Sequence, residues 1–248
     1  MRYYFTISPD ISPDRIAAWY IFNTWMQRHL GCSIRLELFH GFQPQREAIQ
    51  KDQIDLIYAN PFDASTLVRE KGFIALAAPM GKSDEAIIAT YQDAAWLCIE
   101  DLPGVCNVAL TDTPDVNMIS RIMLEPADIK PEDLQINQVD TPIIVAKQLL
   151  NKKVDIGFFL AEAYDHLSDV ISADLRPLIR SEIHDIRHVL LSSPRMKEHH
   201  AGLCELLAGM SHNPKGQDIL QNLGFIGWDM LQQEDAEFMI DLMDTLVS

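Results

Sequence analysis

The 248-residue chain is long enough for one large globular domain or two small ones. Hydrophobic residues make up 48% and charged residues 23%, a balance typical of a folded protein with its own core. The formal net charge is −16, and no basic run offsets it, so nucleic-acid phosphates and anionic lipids would be repelled. There is also no apolar stretch of about 18 residues that would span a membrane. Nucleic-acid binding and direct membrane insertion are therefore not expected.

The four cysteines predict no cofactor site. Their spacing matches no zinc pattern, and they are interpreted as small buried residues with free thiols; they are Cys32, Cys98, Cys106 and Cys204. A Cys98–Cys106 disulfide is the alternative, and it requires an oxidising compartment. The sequence therefore predicts neither a metal nor another cofactor.

The chain opens on a strand-like segment at residues 2–7. No basic segment, apolar segment or small-residue cleavage site precedes it, so it does not read as a secretory signal. Two interpretations stay open. The protein is cytoplasmic if Met1 is the native start, or it is exported and its signal has been removed.

Strands and helices alternate through the first half, which predicts an α/β fold with largely parallel pairing. A helix is expected to begin with Ser12 as its N-cap and Pro13 in its first turn, and to end at Gly31. Asn60 and Pro61 form the same kind of helix start, and another helix begins near residue 43. Strands are expected at 33–39, 54–58 and 73–78.

The second half repeats this alternation. Strands are predicted at 85–91, 107–110, 154–159 and 187–192. Helices are predicted at 115–124, after Thr113, and at 142–152, after Thr141, with another beginning at 160. Three helices, at 198–210, 214–223 and 233–247, complete the chain.

Residues 48–56 and 147–156 resemble each other. Each segment has a helix end, a polar turn, a β-branched residue, an aspartate and a buried strand. Because Asp55 and Asp155 stand at strand starts, they are interpreted as structural rather than catalytic carboxylates. Two copies indicate two similarly built lobes rather than a solenoid.

The order of several short motifs resembles the phosphate/phosphonate (PhnD-like) substrate-binding proteins of ABC transporters, which have the type II periplasmic-binding-protein fold. The matching motifs run the length of the chain: Ser12-Pro13, Leu30-Gly31, Ile54-Asp55, Asn60-Pro61, residues 100–104, Val154-Asp155, and residues 213–220 followed by Leu223-Gly224-Phe225. The C-terminal stretch is the most specific of them.

The resemblance implies two α/β lobes with a ligand cleft between them, residues 1–84 plus 192–248 and residues 85–191, joined by crossing strands near 85–91 and 186–192. It also implies hinge closure on a small molecule, either a phosphate/phosphonate-like oxyanion or another small polar solute. The ligand-bound protein would deliver its ligand to an ABC permease or report it to a sensor protein. Family resemblance places such a protein in the periplasm.

The ligand-binding residues are expected at the carboxyl ends of strands and at the helix starts that follow, where backbone N–H groups bind anions. The candidates are Ser8, Phe42, Tyr58, Asn60, Phe62, Asp63, Thr111, Thr113, Thr141 and Glu162. Core packing is the alternative for the aromatic residues, and helix capping is the alternative for the threonines.

The same positions are rich in carboxylates. Asp63, Asp112, Asp115 and Glu162 stand near them in sequence, and we expect no Arg or Lys beside them. Unpaired carboxylates would repel a dianion. A neutral, zwitterionic or cationic ligand therefore fits this sequence as well as a phosphonate.

No catalytic motif is recognisable, so the chain is not expected to be an enzyme. His184 and His188 have i, i+4 spacing, but they lie in a strand approach, where this spacing does not bring ligands together. The alternative function is a cytoplasmic ligand-sensing regulator, or an enzyme that reuses the same fold.

Overall fold

The computed structural model describes residues 2–247. These residues form two compact units. The first unit contains residues 2–82 and Arg187–Asp244, and the second contains Ser83–Ile186, with residues 245–247 grouped with it. Strands and helices are numbered below along the whole chain.

The first unit is built on a six-stranded sheet in the order β11-β4-β10-β3-β1-β2. β2 and β3 run parallel to β1, whereas β10 is antiparallel to β3 and β4, and β11 is antiparallel to β4. The strands are β1 Arg2–Ile7, β2 Ser33–Leu36, β3 Leu56–Ala59, β4 Ile74–Pro79, β10 Val189–Ser192 and β11 Trp228–Met230.

Two apolar clusters are built from the side chains of this sheet, and alternate residues of β3 belong to different clusters, as a pleated strand requires. Leu56 and Tyr58 pack with α1, α8 and α9 residues, whereas Ile57 and Ala59 pack with α2, α3 and α10 residues. These helices are α1 Ile16–Leu30, α2 Phe42–Gln50, α3 Pro61–Arg69, α8 His200–Gly209, α9 Pro214–Leu223 and α10 Gln233–Val247.

The second unit has a five-stranded sheet in the order β7-β6-β8-β5-β9. β6 is parallel to β7 and β8, and β5 is antiparallel to β8 and β9. Its strands are β5 Ala86–Tyr91, β6 Cys106–Leu110, β7 Leu134–Gln138, β8 Ile156–Leu160 and β9 Leu175–Arg180. Its helices are α4 Pro114–Met123, α5 Pro142–Leu150, α6 Ala161–Asp165 and α7 Asp169–Ser172.

The strand directions decide which loops meet. In the first unit, the carboxyl ends of β1, β3 and β4 and the amino ends of β10 and β11 share one edge. In the second unit, the carboxyl ends of β6, β7 and β8 share one edge. We call these the first and second ligand edges, because open α/β sheets bind ligands beyond the carboxyl ends of their strands.

The resemblance between residues 48–56 and 147–156 extends to hydrogen bonds. Asp55 donates its N–H to the Tyr4 carbonyl at 2.8 Å and accepts the Tyr4 N–H through its carboxylate at 2.9 Å. Asp155 does the same with Asn107, at 2.8 Å in both directions. The structure therefore confirms that both aspartates hold neighbouring strands together.

Two local predictions are wrong in detail. The Ser12 hydroxyl does not cap a backbone N–H but contacts the Asp14 carboxylate, and a 3-10 turn, Pro13–Arg15, precedes α1. The strand predicted at 33–39 ends at Leu36. By contrast, Gly31 ends α1 in the left-handed conformation that the sequence predicts, with φ of 64°.

All four cysteines lie within the described residues and are free thiols. Burial raises the pKa of Cys106 to about 11, and nearby Asp155 and Asp133 add to the rise. This thiol is therefore protonated and unreactive at neutral pH. Among residues 2–247, no helix is long and apolar enough to cross a membrane.

Candidate functional site

A buried hydrogen-bond network joins the ends of β1 and β3 at the first ligand edge. The Ser8 N–H donates to the Tyr58 carbonyl at 2.8 Å, and the Asn60 amide donates to the Ser8 hydroxyl at 3.4 Å. Asn60 also caps α3 as predicted, because its Oδ1 accepts the Asp63 N–H at 2.8 Å. Ser8 and Asn60 are both buried, so this network fixes the start of α3.

Arg46 lies at this site, which corrects the expectation that no basic side chain is present. Its Nε donates to Asp63 Oδ1 at 2.6 Å and its Nη2 to Asp63 Oδ2 at 3.3 Å. Asn60 donates to the same Oδ2 at 2.9 Å. The Asp63 carboxylate is thus neutralised and fully hydrogen-bonded rather than left as an open negative charge.

Two phenylalanine rings contact the guanidinium of Arg46. Its Cζ lies 5.2 Å from the ring centroid of Phe42 and 5.1 Å from that of Phe62, within cation–π range. Phe42 is buried, whereas Phe62 is 44% exposed. We call these three side chains the aromatic–arginine stack.

A second buried pair, Asp10 with His188, stands at the same edge. His188 Nε2 lies 3.2 Å from Asp10 Oδ1, and both side chains are more than nine-tenths buried. Burial by itself would raise the pKa of Asp10, but the charge and hydrogen bond of His188 and the Ser8 hydroxyl together hold it below its usual value. The ring of Tyr58 stacks on His188 with centroids 5.3 Å apart.

Tyr58 itself is a core residue. It is buried and its ring also lies against Trp19, with centroids 4.7 Å apart. The side chain therefore matches the core-packing alternative, and its link to the edge is the contact with His188.

Two further basic residues lie at the first ligand edge. Lys82 lies over the Phe225 ring, and Arg187 pairs with Asp229 at 2.9 Å.

At the second ligand edge, Thr111 and Thr113 are brought together. Their hydroxyl oxygens are 2.8 Å apart. Thr113 is the N-cap residue of α4, yet its side chain caps no backbone N–H. The predicted helix start is therefore right, but the hydroxyl pairs with its neighbour instead of with the helix.

The other candidates of the second unit follow β7 and β8. Thr141 caps α5 by accepting the Ile144 N–H at 3.3 Å, and it is exposed. Glu162, in the first turn of α6, is exposed as well. Near Thr111, Asp112 is exposed whereas Asp115 is fully buried.

The structure thus groups the candidates by unit. In the first unit, Ser8, Asn60 and Asp63 form one network, which Arg46 extends to Phe42 and Phe62. In the second unit, Thr111 and Thr113 touch each other, and Thr141 and Glu162 follow strands that end at the same sheet edge. Arg46, Asp10 and His188 were not predicted from the sequence as neighbours of these residues.

Within residues 2–247, no three His, Cys, Asp or Glu side chains are grouped so as to hold a metal ion. The candidate residues supply hydroxyls, amides and paired charges. Such groups suit hydrogen bonding to a small polar ligand.

Several solved structures resemble this chain in fold over nearly its whole length. PhnD1 from Prochlorococcus marinus, in complex with methylphosphonate, superposes with a TM-score of 0.83 at 8% identity over 99% of this chain and 98% of that one. XAC2383 from Xanthomonas citri, bound to chloride, gives 0.79 at 14% identity over 99% and 97%. The aliphatic sulphonate binding protein SsuA from Escherichia coli gives 0.70 at 14% over 99% and 91%.

These similarities define the class: the chain has the type II periplasmic-binding-protein fold. The sequence model of one family, described as "ABC transporter, phosphonate, periplasmic substrate-binding protein", matches residues 5–236. The chain belongs to that family, whose members are substrate-binding proteins of transport rather than enzymes. A search of curated proteins finds no match.

Proposed function

We propose that this chain is the periplasmic solute-binding component of an ABC transporter, and that its ligand is a small organic oxyanion of the phosphonate or sulfonate type. Family membership over residues 5–236 supports the binding role. The similar structures include one in complex with methylphosphonate and one described as an aliphatic sulphonate binding protein. This ligand class is more specific than the solute of undetermined charge that the sequence indicates.

The observation that carries the proposal is the hydroxyl pair at the start of α4. When Thr111 and Thr113 share one hydrogen bond, the second hydroxyl hydrogen remains to be donated. The side chain of Thr113 caps no backbone N–H of α4, so its hydroxyl is not used by the helix. Hydroxyl and backbone donors beside the positive end of a helix dipole suit an oxyanion.

The charges of the first unit are compatible with this ligand. A free carboxylate at Asp63 would repel an anion, but Arg46 neutralises it. Asp10 is likewise paired with His188, and Asp229 with Arg187. Lys82 adds a cationic side chain at the same edge. We propose Ser8, Asn60 and Phe62 as the first unit's binding residues, together with Thr141 in the second; Glu162, a carboxylate with no hydrogen to donate, does not suit an anionic ligand.

We further propose that the chain has no enzymatic activity and that its macromolecular partner is the transporter's permease. The carboxylates that might suggest acid–base chemistry are used structurally, since Asp55 and Asp155 bind the backbones of neighbouring strands. A binding protein of this kind works because ligand stabilises one conformational state, which the partner then recognises.

Titration calorimetry tests this proposal with methylphosphonate and the variant Thr113→Val. A hydrogen bond to a charged ligand is worth about 1.5–3 kcal/mol, so the variant should bind about 10- to 100-fold more weakly. Thr24→Val is the control, because the Thr24 hydroxyl bonds only the Tyr20 carbonyl on the exposed side of α1. Equal affinities of the wild type and Thr113→Val would contradict the role of α4.

A further inference from the structure

The aromatic–arginine stack of Phe42, Arg46 and Phe62 lies at the first ligand edge, and its side chains come from two helices. Phe42 and Arg46 lie one turn apart on α2, and Phe62 stands in the first turn of α3. The guanidinium lies over both rings, 5.2 and 5.1 Å from their centroids. Two helices thus contribute to one layered arrangement next to Asn60.

The positive charge of Arg46 in this stack is already paired with a carboxylate. Asp63 binds Arg46 through two nitrogens, at 2.6 and 3.3 Å, and the Asp63 side chain is only 7% exposed. A guanidinium in such a bidentate pair attracts an added anion much less than a free one does. What the stack offers to a ligand is therefore an aromatic surface rather than a net positive charge.

Phe62 is the outer member of the stack. The inner ring, Phe42, is buried, whereas Phe62 keeps 44% of its surface exposed. Its position is restrained by the guanidinium, and α3 is fixed by the Asn60 cap. An exposed aromatic ring held in one place binds a flat apolar group at little cost in conformational entropy.

We propose that Phe62, backed by Arg46, is the subsite for the organic substituent of the ligand, and that it favours oxyanions with a planar or aromatic substituent over those with a methyl group. This inference rests on the proposed function. Stacking of one aromatic ring on another contributes on the order of a tenfold gain in affinity. Phenylphosphonate should therefore bind about tenfold more tightly than methylphosphonate.

The test measures both ligands by calorimetry against the wild type, Phe62→Ala and Phe238→Ala. Phe238 is a matched control because it is an exposed phenylalanine of the same unit, 60% exposed on α10. Phe62→Ala should weaken phenylphosphonate binding about tenfold more than it weakens methylphosphonate binding, so that the preference disappears, whereas Phe238→Ala should change neither affinity. Thermal unfolding of each variant checks that it is folded. Phe62→Leu, which keeps the apolar volume without the ring, should also lose the preference and serves if Phe62→Ala does not fold.

Each other outcome counts against a defined claim. Equal binding of the two ligands by the wild type, or a preference that survives in Phe62→Ala, overturns the aromatic subsite and leaves the proposed function standing. An equal loss of both affinities in Phe62→Ala would mean that the residue positions the anionic group, which also overturns the subsite. Binding of neither ligand by the wild type overturns the proposed function and this inference with it.

Discussion

Arg46 connects most of the polar and aromatic side chains at the first ligand edge. It pairs with Asp63, contacts the rings of Phe42 and Phe62, and reaches Asn60 through Asp63. Because Asp63 is nearly inaccessible to water, loss of Arg46 would leave its carboxylate buried without its ion-pair partner. One arginine therefore determines both the electrostatics and the shape of the edge.

Arg46→Gln should lower the free energy of unfolding by about 2 kcal/mol, because it leaves the Asp63 carboxylate buried with a weaker partner. Urea denaturation measures this. Arg35→Gln is the matched control, since the Arg35–Glu37 pair is 4.0 Å apart and both side chains are well exposed; it should change stability by less than about 0.5 kcal/mol. Equal effects of the two substitutions would contradict the role of Arg46.

Asp10 predicts a pH dependence of stability. Its pKa is lowered in the folded protein, so the stability it contributes is present above the unfolded value of about 3.9 and is lost as the pH falls through the folded value. Asp10→Asn should therefore be less stable than the wild type at pH 7, and the difference should shrink at pH 3 and below.

Denaturant titrations of both proteins over this pH range check the Asp10 prediction. Glu85 also has a lowered pKa. Burial acts to raise this pKa, but hydrogen bonds from Ser181 and from the N–H groups of Ile183 and His184 lower it by more. Because Glu85 is present in both proteins, its effect cancels in the difference. A stability difference that stays constant from pH 7 to pH 3 would rule out Asp10 as the source.

The sequence predicts a helix best where a capping residue and a proline or glycine mark its ends. α9 and α10 have the predicted bounds, and α9 runs from Asn213 as its cap to Gly224, which has φ of 75°. α3 likewise follows its Asn60 cap. Local chemistry decides these boundaries, so they can be read from a short stretch of sequence.

The strands that the sequence analysis missed are β7, β9 and β11, and each lies at an edge of its sheet. β7 exposes four of its five residues, and β11 has only three residues. Edge strands bury little, so their apolar pattern is weak and their existence depends on the neighbouring strand.

The Arg46–Asp63 ion pair was not predicted from the sequence, because the two residues are 17 positions apart and meet only in the folded chain. The one available signal was the i, i+4 spacing of Phe42 and Arg46 on one helix.

In the stretch Asn213-Pro214-Lys215-Gly216, which begins α9, close packing against the backbone of Met210 explains the glycine at position 216. A Cβ on Gly216 would lie 2.3 Å from the carbonyl oxygen of Met210. Gly216→Ala should therefore destabilise the protein by about 1–3 kcal/mol, because backbone rather than a flexible side chain must move.

Gly209→Ala is the matched control for Gly216→Ala. Gly209 ends α8, and a Cβ there meets nothing within 4 Å. Alanine should leave stability unchanged or raise it by up to about 1 kcal/mol. Thermal unfolding of the two variants tests the argument, and a Gly216→Ala variant as stable as Gly209→Ala would refute it.

At the scale of the whole molecule, each unit has its own sheet and its own copy of the turn that ends in Asp55 or Asp155. Asp52 and Lys152, in these turns, both adopt φ of 52°. The sequence predicted this duplication and the fold class, because both depend on patterns that span many residues. It did not predict the paired charges of the ligand edges, since those pairs form only when the strand ends are brought together. The net charge of −16 therefore overstates how strongly these edges repel an anion.

Thermal unfolding with added ligands shows whether the chain binds a small organic oxyanion. Methylphosphonate and methanesulfonate would be compared with choline as a cation and glycine as a zwitterion, at rising concentrations. Binding to the folded state alone should stabilise it by about 2.7 kcal/mol at a hundred times the Kd. We expect the melting temperature to rise with at least one oxyanion and not with choline. A melting temperature that no oxyanion changes, or that only choline raises, would contradict the account.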